Sequence, residues 1–292
     1  MTPFTHRICL GTAQFGLDYG VANTHGCMQE EEVKSVLKYA IAHGVKTLDT
    51  AVSYGNSEEA IGRSLKALGR NLDIVSKLPA HNEMKASVHD IVAKSAKRLG
   101  GGKIYGYLLH SFEDYRKQDV WKELSQLKTK GMIGKIGLSL YLPEEAQRVL
   151  KDNVEVDIIQ VPYSVFDRRF EPFLRQFKER KMEVYVRSVF LQGLAFLEPG
   201  RLPVPLSGAR AQVNALKKLS VKSGMPVSAL CLNFAMVHPL VDRVIIGVDH
   251  LEHLKLNLSD LRFFAKVKSL NEDLHMAVIE DEDILLPYRW KL

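Results

Sequence analysis

Short apolar segments of strand character alternate with longer segments of helical period along most of this chain. In 30–43, for example, Val33, Val36, Leu37 and Ala40 fall on one face of a helix. The apolar segments predict eight strands, at Ile8–Leu10, Lys46–Asp49, Leu72–Lys77, Tyr105–His110, Ile133–Ser139, Val156–Val161, Val184–Ser188 and Val241–Gly247. Helices are predicted over Glu30–His43, Ser57–Leu68, Lys85–Leu99, Asp119–Lys130, Pro143–Leu150, Glu171–Lys181, Ala209–Ser223, Val227–Val237 and Leu251–Phe264.

Strands that are apolar throughout, each followed by a helix, are typical of a parallel sheet covered by helices. Because eight such units follow one another without a linker, the economical solution is a closed (β/α)8 TIM barrel, and we predict that 1–292 forms a single α/β domain. The alternative is an open doubly wound sheet, which expects a G-x-G-x-x-G motif after its first strand. The stretch Gly11-Thr12-Ala13-Gln14-Phe15-Gly16 matches neither that motif nor a phosphate-binding P-loop.

Two segments lie outside this alternation. The proline-rich loop Phe190–Ser207 is long enough to predict a functional lid. The tail from Lys266 onward has no clear strand–helix unit, and Pro287–Trp290 is expected either to fold across the barrel or to serve an interface.

Composition and charge indicate which classes of partner and which cellular compartment to expect. The net charge of +6 fits an anionic ligand such as a nucleotide cofactor, but the basic residues form no block with interleaved aromatics, so no nucleic-acid partner is predicted. No apolar run is long enough to cross a membrane and no signal peptide is evident. Cys9, Cys27 and Cys231 are widely spaced and odd in number, which indicates free thiols in a reducing compartment. We therefore expect a cytoplasmic protein without a membrane partner.

Polar residues end most of the predicted strands. They are Asp49, Lys77, His110, Ser139, Gln160, Arg187 and Ser188. In a parallel barrel the C-terminal ends of the strands share one rim, where the active sites of this fold lie. Lys77 is the most informative, because an unpaired ammonium near the barrel mouth is costly. Asp49, at the end of the neighbouring predicted strand, is placed to pair with this ammonium and offset the cost of burying it.

The stretch 47–58 joins the second predicted strand to the helix that follows it. It begins apolar and continues through Asp49 into a polar loop that contains two hydroxyls, Tyr54 and a glycine. Ser57 is predicted to be the N-cap of the helix. A polar cluster between a buried strand and a helix is where α/β proteins place catalytic groups.

Several segments taken together carry a more specific signal than any one of them. They are Leu48–Ala51, Tyr54–Glu58, Val75–Lys77, Leu108–Ser111, Gly137–Ser139, Ile159–Tyr163, Arg187–Leu194, Ile245–Val248 and Asn257. In this order the chain resembles the aldo-keto reductase superfamily, over nearly its whole length from Gly11 to about Leu258.

The resemblance implies an NADPH-dependent reductase of an aldehyde or ketone, sugar-like carbonyls included, built on a barrel without a Rossmann fold. Tyr54 would be the general acid that protonates the carbonyl oxygen as hydride arrives. Lys77 would lower the pKa of Tyr54, and Asp49 would hold Lys77 in place and keep it charged. His110 would donate to the carbonyl oxygen or orient it.

The resemblance also implies a set of cofactor-binding residues. Ser139 and Gln160 match positions that hold the nicotinamide carboxamide, and Arg187 stands where a residue stacks on the nicotinamide ring. The residues that match the pyrophosphate loop are Ser188, Phe190, Gln192 and Gly193, and those that match the adenosine end are Gly247, Val248, His253 and Asn257. The set also includes Gly11, Thr12 and Asp49.

Three positions depart from the family's usual pattern. Leu140 follows Ser139 where the family usually has asparagine, and Arg187 replaces the usual aromatic. A guanidinium can stack on a planar ring, but its charge tunes the nicotinamide or selects an anionic substrate. His253 replaces the arginine that usually grips the 2′-phosphate, so NADH remains open as a cofactor beside NADPH.

Two other functions remain open. The first is a regulatory subunit of the same fold that binds NADPH and turns over negligibly. The second is a barrel lyase or aldolase in which Lys77 forms a Schiff base. The motif Asp249-His250-x-x-His253 lacks a third strong ligand, so no metal site is predicted. The substrate and the oligomeric state are not predicted.

Overall fold

The computed structural model describes residues 4–152 and 154–291, except for the side chain of Gln118. Eight parallel strands close into a barrel in sequence order, which confirms the predicted TIM barrel. The strands are β1 Ile8–Gly11, β2 Thr47–Asp49, β3 Asp73–Leu78, β4 Ile104–Leu109, β5 Ile133–Ser139, β6 Ile158–Pro162, β7 Glu183–Arg187 and β8 Arg243–Gly247. β1 closes the barrel by pairing with β2 on one side and β8 on the other.

Helices surround the barrel between successive strands. They are α1 Glu30–Ala42, α2 Ser57–Leu68, α3 Val88–Arg98, α4 Phe112–Arg116, α5 Gln118–Thr129, α6 Pro143–Asp152, α7 Leu174–Glu179, α8 Arg210–Ser223, α9 Val227–Val237, α10 Leu251–Asp260, α11 Phe264–Lys268 and α12 Glu282–Leu285. Within the part of the chain that the structure describes, no helix is long and apolar enough to cross a membrane.

The buried residues form two apolar groups, because successive side chains of a strand point to opposite faces. One large core lies between the strands and the helices. A smaller cluster fills the barrel interior and consists of Cys9, Val75, Leu108, Ile158, Tyr185 and Ile245. This cluster separates the rim from the other end of the barrel, where Glu183 at the start of β7 accepts hydrogen bonds from Tyr105 and Lys135.

The helix predicted at Glu171–Lys181 is shorter than expected. A 3₁₀ turn at Glu171–Phe173 precedes α7, and Lys181 has a φ of 61°, which ends the helical path. Pro172 lies in the 3₁₀ turn and has no backbone N–H to donate.

The loop predicted as a lid and the tail both contain short helical turns. The loop forms 3₁₀ helices at Leu191–Phe196, Pro199–Arg201 and Val204–Ala209. In the tail, Tyr288 packs edge-on against Tyr141 after β5, with ring centroids 5.2 Å apart. The tail therefore folds back to the rim of the barrel, which is the first of the two arrangements that its sequence left open.

Candidate active site

Asp49 and Lys77 form a buried ion pair at the rim end of the barrel. Lys77 Nζ lies 2.6 Å from Asp49 Oδ2, and the two residues are 1% and 4% exposed. Lys77 Nζ also donates to the carbonyl oxygen of Thr50 at 3.0 Å. Gln160 Nε2 donates to Asp49 Oδ1 at 2.7 Å. Both carboxylate oxygens are therefore used, and the predicted contact between Asp49 and Lys77 is confirmed.

This pairing bears on the lyase alternative. A Schiff-base lysine needs a free amine that can reach a substrate carbonyl. Lys77 is instead held by two acceptors and does not line the cavity described below. The arrangement therefore disfavours a Schiff-base role for this lysine.

Tyr54 lies beside the ion pair, in the loop after β2. Its ring centroid is 5.3 Å from Lys77 Nζ and 6.0 Å from the His110 ring, to which it is nearly perpendicular. Burial raises the pKa of Tyr54, with further increases from Asp49 and Tyr141 and a decrease from Arg187. Lys77 is not among the groups that cause this increase, and its predicted effect on the pKa of Tyr54 stays a prediction.

Two glycines and a serine set the backbone around Tyr54. A Cβ atom on Gly16 would lie 1.9 Å from the Tyr54 carbonyl oxygen, and one on Gly55 would lie 2.3 Å from the Gly16 oxygen. The sequence predicts Ser57 as the N-cap of α2, and this prediction is wrong. Asn56 is the N-cap residue, and its side chain makes no capping hydrogen bond. Ser57 Oγ instead donates to the carbonyl oxygen of Thr12 at 2.9 Å. The hydroxyl therefore ties the Tyr54 loop to β1 rather than serving the helix.

His110 follows β4 and faces Tyr54 from the opposite side of the rim. Its Nδ1 lies 3.3 Å from Ser53 Oγ. Burial lowers the pKa of His110 to about 3, and the charges of Lys77 and Arg187 act in the same direction. The imidazole is therefore neutral near pH 7, so one ring nitrogen carries a proton and the other is an acceptor.

Arg187 ends β7 and lies in the wall of the same cavity. Its Nη2 donates to the carbonyl oxygen of Leu140 at 2.8 Å, and its Nη1 donates to Ser188 Oγ at 3.2 Å. The guanidinium carbon lies 4.1 Å from the centroid of the Tyr141 ring. No ion pair to Arg187 is formed within the described residues. The arginine therefore remains an unpaired cation.

A cavity of about 470 Å³ joins these residues to the other side of the rim. Asp49, Tyr54 and His110 line it, whereas Lys77 lies behind Asp49. The cofactor residues expected from the sequence line it with one exception: Gly11, Thr12, Ser139, Gln160, Arg187, Ser188, Phe190, Gln192, Gly193, Gly247, His253 and Asn257. The exception is Val248, which is 1% exposed and packs in the core, so its place among the cofactor-binding residues stays a prediction.

Sequence analysis missed several residues of the cavity, notably Gln14, Tyr19 and Tyr141. Tyr141 lies two positions after the last residue of β5, where a rim residue is expected, so its position could have identified it. Tyr19 belongs to the irregular segment before α1, and no local pattern places it at the cavity.

A bridge between two loops covers part of the cavity. Gln192 Nε2 donates to the Tyr19 hydroxyl at 2.8 Å, and the backbone N–H of Val21 donates to the Gln192 carbonyl oxygen at 2.9 Å. A Cβ atom on Gly193 would lie 2.6 Å from Ala22 Cβ. The segment after β1 and the turn after β7 are therefore joined across the opening.

The far end of the cavity carries a cluster of histidines. The His250 and His253 ring centroids are 3.8 Å apart, and His25 packs edge-on against His250 at 4.5 Å. His253 Nδ1 lies 3.7 Å from Asp249 Oδ2. Burial lowers the pKa of His253, as do His250 and His25, while Asp249 raises it. Among the described residues, no three such side chains are arranged to hold a metal ion.

A closed parallel barrel with polar side chains gathered around a rim cavity defines an enzyme of the TIM-barrel class. Residues 7–272 match the sequence model of the Aldo/keto reductase family, and the chain belongs to that family. The predicted superfamily and the predicted enzyme class, an oxidoreductase, are thereby confirmed.

Individual relatives agree with this assignment. An uncharacterized oxidoreductase of Bacillus subtilis is 27% identical over 80% of this chain and 84% of its own length. A glyoxal reductase of the same organism is 25% identical over 86% of this chain and 88% of its own length. The holo form of an aldo-keto reductase from Bacillus halodurans has a TM-score of 0.75 at 22% identity, covering 94% of both chains. An aldo-keto reductase from Klebsiella pneumoniae in complex with NADPH has a TM-score of 0.68 at 23% identity, covering 94% and 93%.

Proposed function

We propose that this protein reduces an aldehyde or ketone to the alcohol with NADPH, and that Tyr54 is the general acid. The observation that carries the proposal is the convergence of Tyr54 and His110 over the buried Asp49–Lys77 pair, at one end of a cavity that extends to His253. Family membership, the glyoxal reductase relative and the NADPH complex of the Klebsiella relative support it.

The cavity fits a dinucleotide. Ser188, Leu191 and Gln192 adopt left-handed backbone conformations with φ of 61°, 44° and 51°, and Gly193 has a φ of 96°. Such conformations are unfavourable for side-chain-bearing residues and cluster at ligand clamps. Ser188, Gln192 and Gly193 would hold the pyrophosphate, and Ser139 with Gln160 the carboxamide. Gly247, His253 and Asn257 would hold the adenosine end.

The bound cofactor would supply the hydride. The chain's own residues would then hold the substrate oxygen and supply the proton. Tyr54 would donate its phenol proton to the carbonyl oxygen, since a phenol with a raised pKa stays protonated at neutral pH. His110, neutral, would donate a ring N–H to the same oxygen. Lys77, kept charged by Asp49, would stabilise negative charge that develops on Tyr54.

The proposal is tested by following the absorbance of NADPH with a panel of aldehydes and ketones. Tyr54→Phe is expected to lower kcat by a factor of about 10² to 10⁴, while the Kd for NADPH stays within about twofold. Tyr39→Phe is the matched control, because Tyr39 lies on α1 outside the cavity. A Tyr54→Phe variant that reduces carbonyls as fast as the parent would show that Tyr54 is not the acid.

One observation favours a second candidate, a regulatory subunit that binds NADPH with little turnover. Leu140 and Arg187 stand where the family usually has asparagine and an aromatic residue, so the usual contacts to the nicotinamide are changed at two positions. This candidate expects tight NADPH binding, no reduction of any carbonyl in the panel, and a partner protein that copurifies. Turnover that depends on Tyr54 rules it out.

A further inference from the structure

Arg187 presents unused hydrogen-bond donors to the cavity. An arginine has five N–H groups in a fixed plane, and the two bonds to Leu140 and Ser188 use only part of them. Its Nε is buried and has no hydrogen-bond partner within the described part of the chain. A buried donor without a partner is unfavourable, and the protein therefore leaves the guanidinium incompletely satisfied. The N–H groups that remain on Nη1 and Nη2 are the ones offered to a ligand in the cavity, which Arg187 lines.

Among the described residues that line the cavity, Arg187 is the one arginine or lysine. The charges of Asp49 and Lys77 compensate each other at 2.6 Å, and His110 is neutral near pH 7. The nearby Glu145 is engaged by the backbone N–H groups of Tyr141 and Leu142, at 2.6 and 3.0 Å. The field of Arg187 reaches the reacting groups, since it lowers the pKa values of both Tyr54 and His110.

The guanidinium is held in one orientation. The ring of Tyr141 packs against it at 4.1 Å, and Tyr288 from the tail packs against the edge of Tyr141 at 5.2 Å. A guanidinium fixed in this way loses little freedom when it binds an oxyanion through two parallel N–H···O bonds.

We propose that Arg187 selects carbonyl substrates that carry a carboxylate or a phosphate, so that the substrates of this enzyme are anionic aldehydes or ketones. The inference rests on the proposed function and names its substrate class. The oxyanion binds the free N–H groups of Arg187, and the carbonyl of the same molecule then lies towards Tyr54 and His110. The pyrophosphate of the cofactor is also an oxyanion that an arginine can bind. The experiment therefore distinguishes binding of the substrate's oxyanion from binding of the pyrophosphate.

The experiment compares matched pairs of substrates with NADPH: 4-carboxybenzaldehyde with 4-methylbenzaldehyde, and glyceraldehyde 3-phosphate with glyceraldehyde. For each pair the ratio of kcat/KM values, anionic over neutral, is measured for the parent, Arg187→Gln and Arg187→Lys. Arg175→Gln, at an exposed arginine of α7, is the control for the same change in net charge. The Kd for NADPH is measured separately by fluorescence titration.

We expect a ratio of at least about ten in the parent, as for a hydrogen-bonded charge pair, and a ratio near one in Arg187→Gln. Arg187→Lys should retain part of the preference, and Arg175→Gln all of it. An unchanged ratio in Arg187→Gln overturns the inference while leaving the proposed function intact. The inference is also overturned if Arg187→Gln lowers only the affinity for NADPH, because Arg187 then binds the cofactor rather than the substrate.

If the parent reduces none of these carbonyls, the proposed function fails and binding alone decides the inference. The probe is then 4-(hydroxymethyl)benzoate, with 4-methylbenzyl alcohol as its neutral match, in thermal unfolding of the protein with NADP⁺. Stabilisation of the parent by the benzoate alone, lost in Arg187→Gln, supports anion selection at Arg187. Equal stabilisation by both probes, or by neither, overturns it.

Discussion

Gly16 packs so closely against Tyr54 that a Cβ atom at position 16 would overlap the Tyr54 carbonyl oxygen, at 1.9 Å. The loop after β1 thus supports the backbone of the proposed acid directly. We expect Gly16→Ala to displace Tyr54 and to lower kcat at least about tenfold, since small displacements of catalytic groups are costly. NADPH oxidation measures the loss.

Gly102→Ala is the control for Gly16→Ala. A Cβ atom at Gly102 meets nothing within 4 Å, so this variant should keep the activity of the parent. Equal kcat values for Gly16→Ala and the parent would contradict the positioning role of Gly16.

The buried pair of Asp49 and Lys77 should contribute strongly to stability when only one partner is removed. Lys77→Met leaves a buried carboxylate without its cation, with a hydrogen bond from the uncharged amide of Gln160, so we expect the free energy of unfolding to fall by about 3–5 kcal/mol. Urea denaturation measures the change. The double variant Asp49→Asn/Lys77→Met should lose less than the sum of the two single variants.

The exposed pair of Arg63 and Glu30 provides a contrast. Their side chains are 52% and 54% exposed, so Glu30→Gln should change the unfolding free energy by less than about 1 kcal/mol. A loss from Lys77→Met as small as that from Glu30→Gln would show that the buried pair does not stabilise the fold.

His110 should make the protein less stable in mild acid. Its native pKa of about 3 lies below the unfolded value of about 6.5, so below pH 6.5 the unfolded chain binds a proton that the native state does not. Stability is therefore lost as the pH falls, by up to about 2 kcal/mol between pH 6.5 and 5. Urea denaturation at pH 7.5 and 5 should show a smaller loss in His110→Gln than in the parent. Equal losses would contradict the depressed pKa.

The histidine cluster should make the preference for NADPH over NADH depend on pH. If the 2′-phosphate lies at His253, protonation of His253 strengthens its binding, whereas the carboxylate of Asp249, 3.7 Å from His253 Nδ1, weakens it. Because the pKa of His253 is lowered, the gain is expected only below about pH 6.5. We expect the ratio of Kd values, NADH over NADPH, to rise about threefold or more from pH 8 to 5.5.

The control for this pH dependence is His253→Gln, in which the rise should be reduced. Fluorescence titration measures each Kd. A ratio that is constant with pH in the parent would place the 2′-phosphate away from these histidines.

The bridge between Tyr19 and Gln192 should slow the release of NADPH. Tyr19→Phe removes the hydroxyl that accepts from Gln192 Nε2, so we expect the dissociation rate to rise about twofold to tenfold. Stopped-flow fluorescence measures the rate, with Tyr39→Phe as the control. Unchanged dissociation would show that the bridge does not retain the cofactor.

The barrel and the Asp49–Lys77 contact were accessible from the sequence because each follows from local information. Apolar runs define the strands, and parallel strands bring their ends to one rim. The role of Ser57 was not accessible, because its hydroxyl bonds to Thr12, far away in the chain. Tyr19 was missed for the same reason: the irregular segment that carries it is placed by tertiary packing rather than by a periodic pattern.

The direction of the Tyr54 pKa shift shows a second limit of sequence reasoning. Family motifs indicate which groups meet, but not which of them are already engaged. Lys77 is near Tyr54 and is also bound to Asp49 and Thr50, and burial, which the motifs do not reveal, raises the pKa of Tyr54.

The contact of Tyr288 with Tyr141 connects the tail to Arg187, although none of the described tail residues, 266–291, lines the cavity. A substitution at Tyr288 can therefore loosen the support of the guanidinium while every group that touches the ligand stays the same. Relatives with identical rim residues but a different residue at the position of Tyr288 need not share a substrate.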